Sequence, residues 1–192
     1  MNLSDLPYAR DVLQRITHLE HEDAMLSYED SRIASLWEAL GCLPNLTALS
    51  LPDCINVTTN QLIAEDLNKA LKSLKHLQRL NLSYCNLKGR LGDVLGGMNQ
   101  RVVYLNLKDC RLTEDDLFFL VTWRNLAGLR ELNLSCNNLQ LLDQVLIVML
   151  EKMPLITCLS ISFCSLSVNS QVKFQLQVLI FAQLHIGLAY RK

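Results

Sequence analysis

Seven cysteines and the segment His18-Leu-Glu-His21-Glu-Asp23 are the residues of this 192-residue sequence with the most obvious capacity for chemistry. Thiolates and imidazoles ligate zinc, and paired thiols form disulfides or exchange electrons. The spacings do not fit either use. No C-x-x-C pair occurs, the cysteine count is odd, and the stretch from Met1 to Arg10 lacks the basic and then apolar regions of a secretory signal. Reduced thiols are therefore expected. A strand starting at His18 would send His18 and Glu20 to one face and His21 to the other, so a solvated acidic strand is the reading there, not a metal site. The sequence contains no G-x-x-x-x-G-K-[ST], G-x-S-x-G, G-x-G-x-x-G or H-E-x-x-H motif, so no enzymatic activity, metal or cofactor is expected.

The elements that would position any functional side chain come from a repeated pattern. Leucine supplies 42 of the residues, against 7 Gly and 4 Pro. The pattern Leu-x-x-Leu-x-Leu-x-x-(Cys/Asn)-x-Leu is matched from Leu77 to Leu87, Val102 to Leu112, Leu129 to Leu139 and Ile156 to Leu166. A fifth match starts at Leu46 and carries one extra residue after Cys54, reaching Val57. Starts about 25 to 31 residues apart are the signature of a leucine-rich repeat. Two leucines flanking one residue place both on the inner side of a short strand and the intervening residue outward. Cys54, Cys85, Cys110, Asn137 and Cys164 form a column where the chain leaves the strand, positioned to bind loose backbone groups of the neighbouring coil.

Between strands the spacing turns helical, with apolar residues three and four apart from Asn60 to Leu74. Thr113-Glu-Asp-Asp116 reads as a capping box, with Leu117, Leu120 and Val121 inward behind it. Further helices are expected near Asp30 to Leu40, Asp143 to Glu151 and Asn169 to Phe181, with a short one around Leu91 to Gly97. The expected fold is an α/β leucine-rich-repeat solenoid, a curved horseshoe with short parallel strands on the concave side and helices on the convex side. One domain over 1–192 is expected: a degenerate repeat and helices over 1–43, regular repeats over 44–166, and a helix with a partial last repeat over 167–192. Ile16, Leu19, Ala24 and Leu26 hold the degenerate register, Asp5 to Ile16 resembles the helix half of another repeat, and a further strand is expected at Ile186-Gly-Leu188. The chain is expected to be a slice of a longer protein.

In such a solenoid the concave strand face is a rigid array of side chains, and its columns follow from the register. Between the strand leucines stand Glu20, Ser50, Asn81, Asn106, Asn133 and Ser160; two residues earlier stand His18, Ala48, Arg79, Tyr104, Glu131 and Cys158. Two residues later come Glu22, Pro52, Ser83, Lys108, Ser135 and Ser162, followed by Asp23, Asp53, Tyr84, Asp109, Cys136 and Phe163. Tyr and Arg dominate interface energetics, so Arg79, Tyr84, Tyr104 and Lys108 are nominated as a protein-binding centre, with Asn81, Asn106, Glu131 and Asn133 around it. The competing reading is an ordinary solvated strand face. Phe163 is read first as packing against a further repeat.

With 18 Lys plus Arg against 19 Asp plus Glu, the formal net charge is -1, so no broad basic field exists to attract nucleic acid. The most apolar stretch, Val172 to Tyr190, is broken by Lys173, Gln175, Gln177, Gln183 and His185 and is too interrupted for a membrane span. A soluble chain in the cytoplasm and nucleus is expected.

The segments Leu112-Thr-Glu-Asp-Asp-Leu-Phe-Phe-Leu120, Leu129-Arg-Glu-Leu-Asn-Leu-Ser-Cys-Asn-Asn-Leu139 and Tyr104-Leu-Asn-Leu-Lys-Asp-Cys-Arg-Leu112 resemble repeats of the PRAME family. Ribonuclease-inhibitor-like repeats are the nearest competitor. The resemblance spans roughly residues 40 to 166 and implies a non-enzymatic protein-interaction surface, acting as a substrate receptor of a cullin-type ubiquitin ligase with elongin and cullin partners, or as a regulator of transcription or inflammatory signalling. The competitor implies an inhibitor or signalling scaffold without ubiquitin. The helical Leu-x-x-x-Cys-x-x-x-Ala box by which such receptors bind elongin is absent; Leu132-Asn-Leu-Ser-Cys136 comes nearest but has Gln140 in place of Ala and lies in an expected strand.

Overall fold

The computed structural model describes residues 13–20, 37–58, 61–140, 143–166 and 185–187. Seven three-residue strands stack in chain order into one parallel sheet: β1 (His18–Glu20), β2 (Ala48–Ser50), β3 (Arg79–Asn81), β4 (Tyr104–Asn106), β5 (Glu131–Asn133), β6 (Cys158–Ser160) and β7 (His185–Gly187). The pairing register aligns Ala48, Arg79, Tyr104, Glu131 and Cys158, and it aligns Leu49, Leu80, Leu105, Leu132 and Leu159. This is the register read from the leucines. Helices lie between the strands: α1 (Gln61–Ser73), α2 (Leu91–Leu95), α3 (Glu114–Thr122) and α4 (Asp143–Glu151), with a 3-10 turn at Leu126–Gly128 and a helical turn over 37–41. The expected Asn169 to Phe181 helix, the 30–36 part of the first helix, and most of the degenerate first repeat lie outside the described residues.

The core is the space between strand leucines and helix faces. In successive repeats Leu46, Leu49 and Leu51, then Leu77, Leu80 and Leu82, then Val102, Leu105 and Leu107, then Leu129, Leu132 and Leu134 are all buried. From the helices Ile63, Leu67, Leu71, Val94, Leu117, Leu120, Leu146, Met149 and Leu150 meet them at three- and four-residue spacing. Each fully buried leucine is worth about 1.5–3 kcal/mol, and no single repeat encloses its own, so stability comes from stacking. The extra residue after Cys54 is absorbed without losing the stack: Ile55 and Val57 are both buried, and Asn56 bridges to Asn86 as an additional parallel contact. Helix α2 stops at Leu95, two residues short of expectation. It is held close to α3, where a Cβ on Gly92 would lie 3.3 Å from the Phe119 ring.

The Cys/Asn column does what its position allows. Cys85 Sγ donates to the Leu51 carbonyl at 3.1 Å, Cys110 Sγ to Leu82 at 3.0 Å and Cys164 Sγ to Leu134 at 3.2 Å, each in the preceding repeat. Burial pushes these thiols up from 9.0, Cys85 to about 12, Cys164 to about 11, and Cys110 in the same direction. Because the folded value lies above the unfolded one, their contribution is complete below about pH 9 and is lost as pH rises toward the folded value. Unfolding free energies from urea titrations run upward from about pH 8 should therefore fall beyond about pH 9, by up to about 1.4 kcal/mol per pH unit for each thiol, and by less in Cys85→Ala. A flat profile through that range would show that the thiols carry no such linkage.

Candidate functional site

Outward residues of the strands share the face opposite the helices, and on it the nominated side chains resolve into two pairs. At the strand starts the Arg79 guanidinium lies 4.1 Å from the centroid of the Tyr104 ring, and Arg79 Nη1 sits 3.3 Å from Glu131 Oε1. One cation thus bridges β3, β4 and β5 in the register column that the leucines dictate. Beyond the strand ends, Lys108 Nζ donates to the Tyr84 hydroxyl and lies 4.9 Å from the centroid of that ring. This hydrogen bond to the Tyr84 hydroxyl is the main reason the Lys108 ammonium holds its proton above the usual lysine range. The two pairs are separated along the strand by roughly four residues, about 13 Å. They are two cation–aromatic contacts at the two ends of one strand pair, not one cluster.

The asparagine column has a backbone role. Asn81, Asn106 and Asn133 accept through Oδ1 from the amides of Ser83, Lys108 and Ser135 at 3.1, 3.1 and 3.0 Å. Each bends the chain out of its strand as an Asx turn. Immediately after, Asp53, Tyr84, Asp109, Cys136 and Phe163 adopt left-handed backbone, with φ of 54, 64, 52, 63 and 57°. The ladder continues through these turns, since Asp53 N donates to Ser83 O, Tyr84 N to Lys108 O, Asp109 N to Ser135 O and Cys136 N to Ser162 O. The last two columns are therefore turns rather than strand, and Ser83 and Ser135 in them are buried. Tyr84 and Phe163 stand out, 46 and 50% exposed, as bulky side chains on a backbone that disfavours them. The further repeat against which Phe163 is expected to pack lies outside the described residues.

The nominated Arg79, Asn81 and Tyr104 form one wall of a hollow in this face whose floor, Ala48 and Ser50, and opposite wall, His18 and Glu20, stand in the sequence columns outside the nominated centre. A trough of about 360 Å³ runs across β1 to β4, lined by His18, Glu20, Ala48, Ser50, Arg79 and Tyr104, with Asn81 at its edge. Its cause is size: Ala48 and Ser50 on β2 are small, and taller side chains flank them on both sides. Asn81 Nδ2 donates to Ser50 Oγ at 2.9 Å, and Ser50 Oγ donates to Glu20 Oε1 at 3.2 Å, so the floor is one hydrogen-bonded chain. The drop in side-chain size along the column from Arg79 to Ala48 was the available signal. His18 and Glu20 share the trough face, as alternation requires, while His21 and Asp23 lie outside the described residues. No described helix is long and apolar enough to cross a membrane.

The model of the Leucine Rich Repeat family matches residues 76–98 and 128–150. Over 69 residues the chain is 41% identical to leucine-rich repeat-containing protein 14 of Xenopus laevis, a stretch covering 36% of this chain and 14% of that protein. A crystal structure of a Bacteroides fragilis protein aligns over 77% of this chain and 41% of its own, at 16% identity and a TM-score of 0.47. Leucine-rich repeats generally serve as non-enzymatic modules for protein–protein interaction.

Proposed function

We propose that this leucine-rich-repeat chain, which resembles leucine-rich repeat-containing protein 14 over its matched 69 residues, holds one protein partner on its concave face. The observation that carries the reading is the pair of pre-formed cation–aromatic contacts, Arg79 on Tyr104 across β3 and β4 and Lys108 on Tyr84 across the turns that follow them. Aromatic and arginine side chains whose conformations are already restrained lose little entropy on binding, which is what interface anchors require. The exposed Phe163 extends the same face toward the C-terminal strands.

The finer reading, supported by the PRAME-like repeats alone, is a substrate-recognition or regulatory subunit of a cullin-type ubiquitin ligase. The missing elongin-type box weighs against direct adaptor binding by the residues present, and Leu132 to Asn133 of its nearest match lies in β5, where a helical box cannot form. A tagged pull-down with mass spectrometry, comparing the natural chain with an Arg79→Ala, Tyr104→Ala, Lys108→Glu variant, separates the readings. One partner protein lost from the variant, with elongin and cullin retained in both, is the expected result for a ligase receptor. Loss of one partner with no ligase component in either leaves a binding scaffold. An unchanged partner set in the variant would remove the concave site itself.

A further inference from the structure

The trough over β2 differs chemically from the two cation–aromatic pairs, and its charges are not balanced. Arg79 is stacked on Tyr104 and paired with Glu131, so its charge is answered on the side toward β5. Glu20, on the opposite wall, accepts one hydrogen bond from Ser50 Oγ, and among the described residues no cation lies within ion-pair distance of it. The Asn81 to Ser50 to Glu20 chain points every donor toward that carboxylate and holds its near oxygen in place. The carboxylate is exposed, on a wall roughly two strand spacings, about 10 Å, from Arg79. The intervening floor, Ala48 and Ser50, offers length for an extended side chain and a small apolar patch for its methylenes.

We propose that this trough receives a basic side chain, arginine or lysine, from an extended segment of the partner protein, with its charged end at Glu20, its stem over Ala48 and Tyr104 as the far wall. The proposal rests on the concave-face reading above and adds the partner's chemistry. An acidic side chain fits worse: it would compete with Glu131 for Arg79 and face the Glu20 carboxylate across the trough. A basic one meets Glu20 directly, and the Arg79 charge that would oppose it is offset by Glu131. Long cationic side chains lay their stems on apolar surface while keeping the head polar, as the order of Ala48 and Glu20 along the trough provides.

The test is selection of a phage-displayed library of random linear peptides on the full chain, followed by anisotropy titration of the enriched peptides. Arginine or lysine should recur at one position. Glu20→Gln should weaken those peptides about 2- to 5-fold, as expected for an exposed ion pair, with the difference shrinking at high salt. Ala48→Phe should fill the trough and remove binding, and both variants, altered only at exposed or half-exposed positions, should keep the parent far-UV circular dichroism. Peptides that bind, are lost in Tyr104→Ala and show no basic preference or no response to Glu20→Gln would overturn the inference and leave the concave face as a protein-binding surface. Enrichment of acidic residues would overturn it in favour of Arg79 as the recognition group. Binding indifferent to Ala48, Tyr104 and Arg79 alike, or no enrichment at all, would overturn it too, and the former would remove the concave site with it.

Discussion

Asn137→Ala is expected to destabilise the protein by about 3–4 kcal/mol, and Asn137→Cys by about half as much. Asn137 is the single asparagine in a column otherwise filled by cysteine, and it is 1% exposed. Its Oδ1 accepts from Cys110 N at 3.0 Å and Leu112 N at 3.1 Å; its Nδ2 donates to the carbonyls of Leu107 and Leu134, both at 2.8 Å. Truncation leaves two buried amides and the Leu107 carbonyl without this partner, at roughly 1–3 kcal/mol for each group that water cannot reach, while the Leu134 carbonyl keeps the Cys164 thiol as a donor. A cysteine retains one donor toward the preceding repeat, as Cys85, Cys110 and Cys164 show, but loses the double acceptor. Urea unfolding followed by far-UV circular dichroism gives the ranking. Native-state amide exchange should accelerate most at Cys110 and Leu112. Equal losses for the two variants would mean that the side chain's volume, rather than its hydrogen bonds, holds the turn.

The strand register was readable because a leucine pattern with two-residue alternation has one buried solution, and a slip by one residue would expose every strand leucine. Helix α4 was equally legible from its apolar spacing, and α3 from Thr113 and Asp116 ahead of Leu117 and Leu120. The left-handed turn at Tyr84, Asp109, Cys136 and Phe163 was not. Residue type signals positive φ through Gly and Asn and more weakly through Asp, so Asp53 and Asp109 gave a faint signal and Tyr84, Cys136 and Phe163 none; there the stacked turn hydrogen bonds impose the conformation from outside the residue. The pairing of Arg79 with Tyr104 and Glu131 follows from the register, whereas the orientation of Lys108 onto Tyr84 depends on a turn whose direction the sequence conceals. The trough was concealed for another reason. It arises where side chains are small, and attention to chemically rich residues passes over Ala48 and Ser50.

Asp116 carries the second large expectation, since it serves two repeats at once. Its carboxylate, 2% exposed, accepts from Thr113 N at 2.8 Å and Thr113 Oγ1 at 2.9 Å, reaching back over the first turn of α3. It also accepts from Gly89 N at 2.8 Å and Leu91 N at 2.9 Å, amides at the start of α2 in the preceding repeat. Solenoid stability divides into terms within repeats and terms between neighbours. Asp116→Ala removes both kinds and should cost about 3 kcal/mol, whereas Thr113→Ala removes part of the cap alone and should cost about 1 kcal/mol. Asp116→Asn should fall near the alanine variant, because an amide NH2 in place of one oxygen turns a donor toward backbone N–H donors. The difference between the alanine variants belongs to the contact between repeats, so it should also appear as a loss of cooperativity: a lower urea m-value, or separated transitions for the segments on either side of α2 and α3. A drop in midpoint with the m-value unchanged would assign Asp116 to capping α3 and leave the coupling of the two repeats to their leucines.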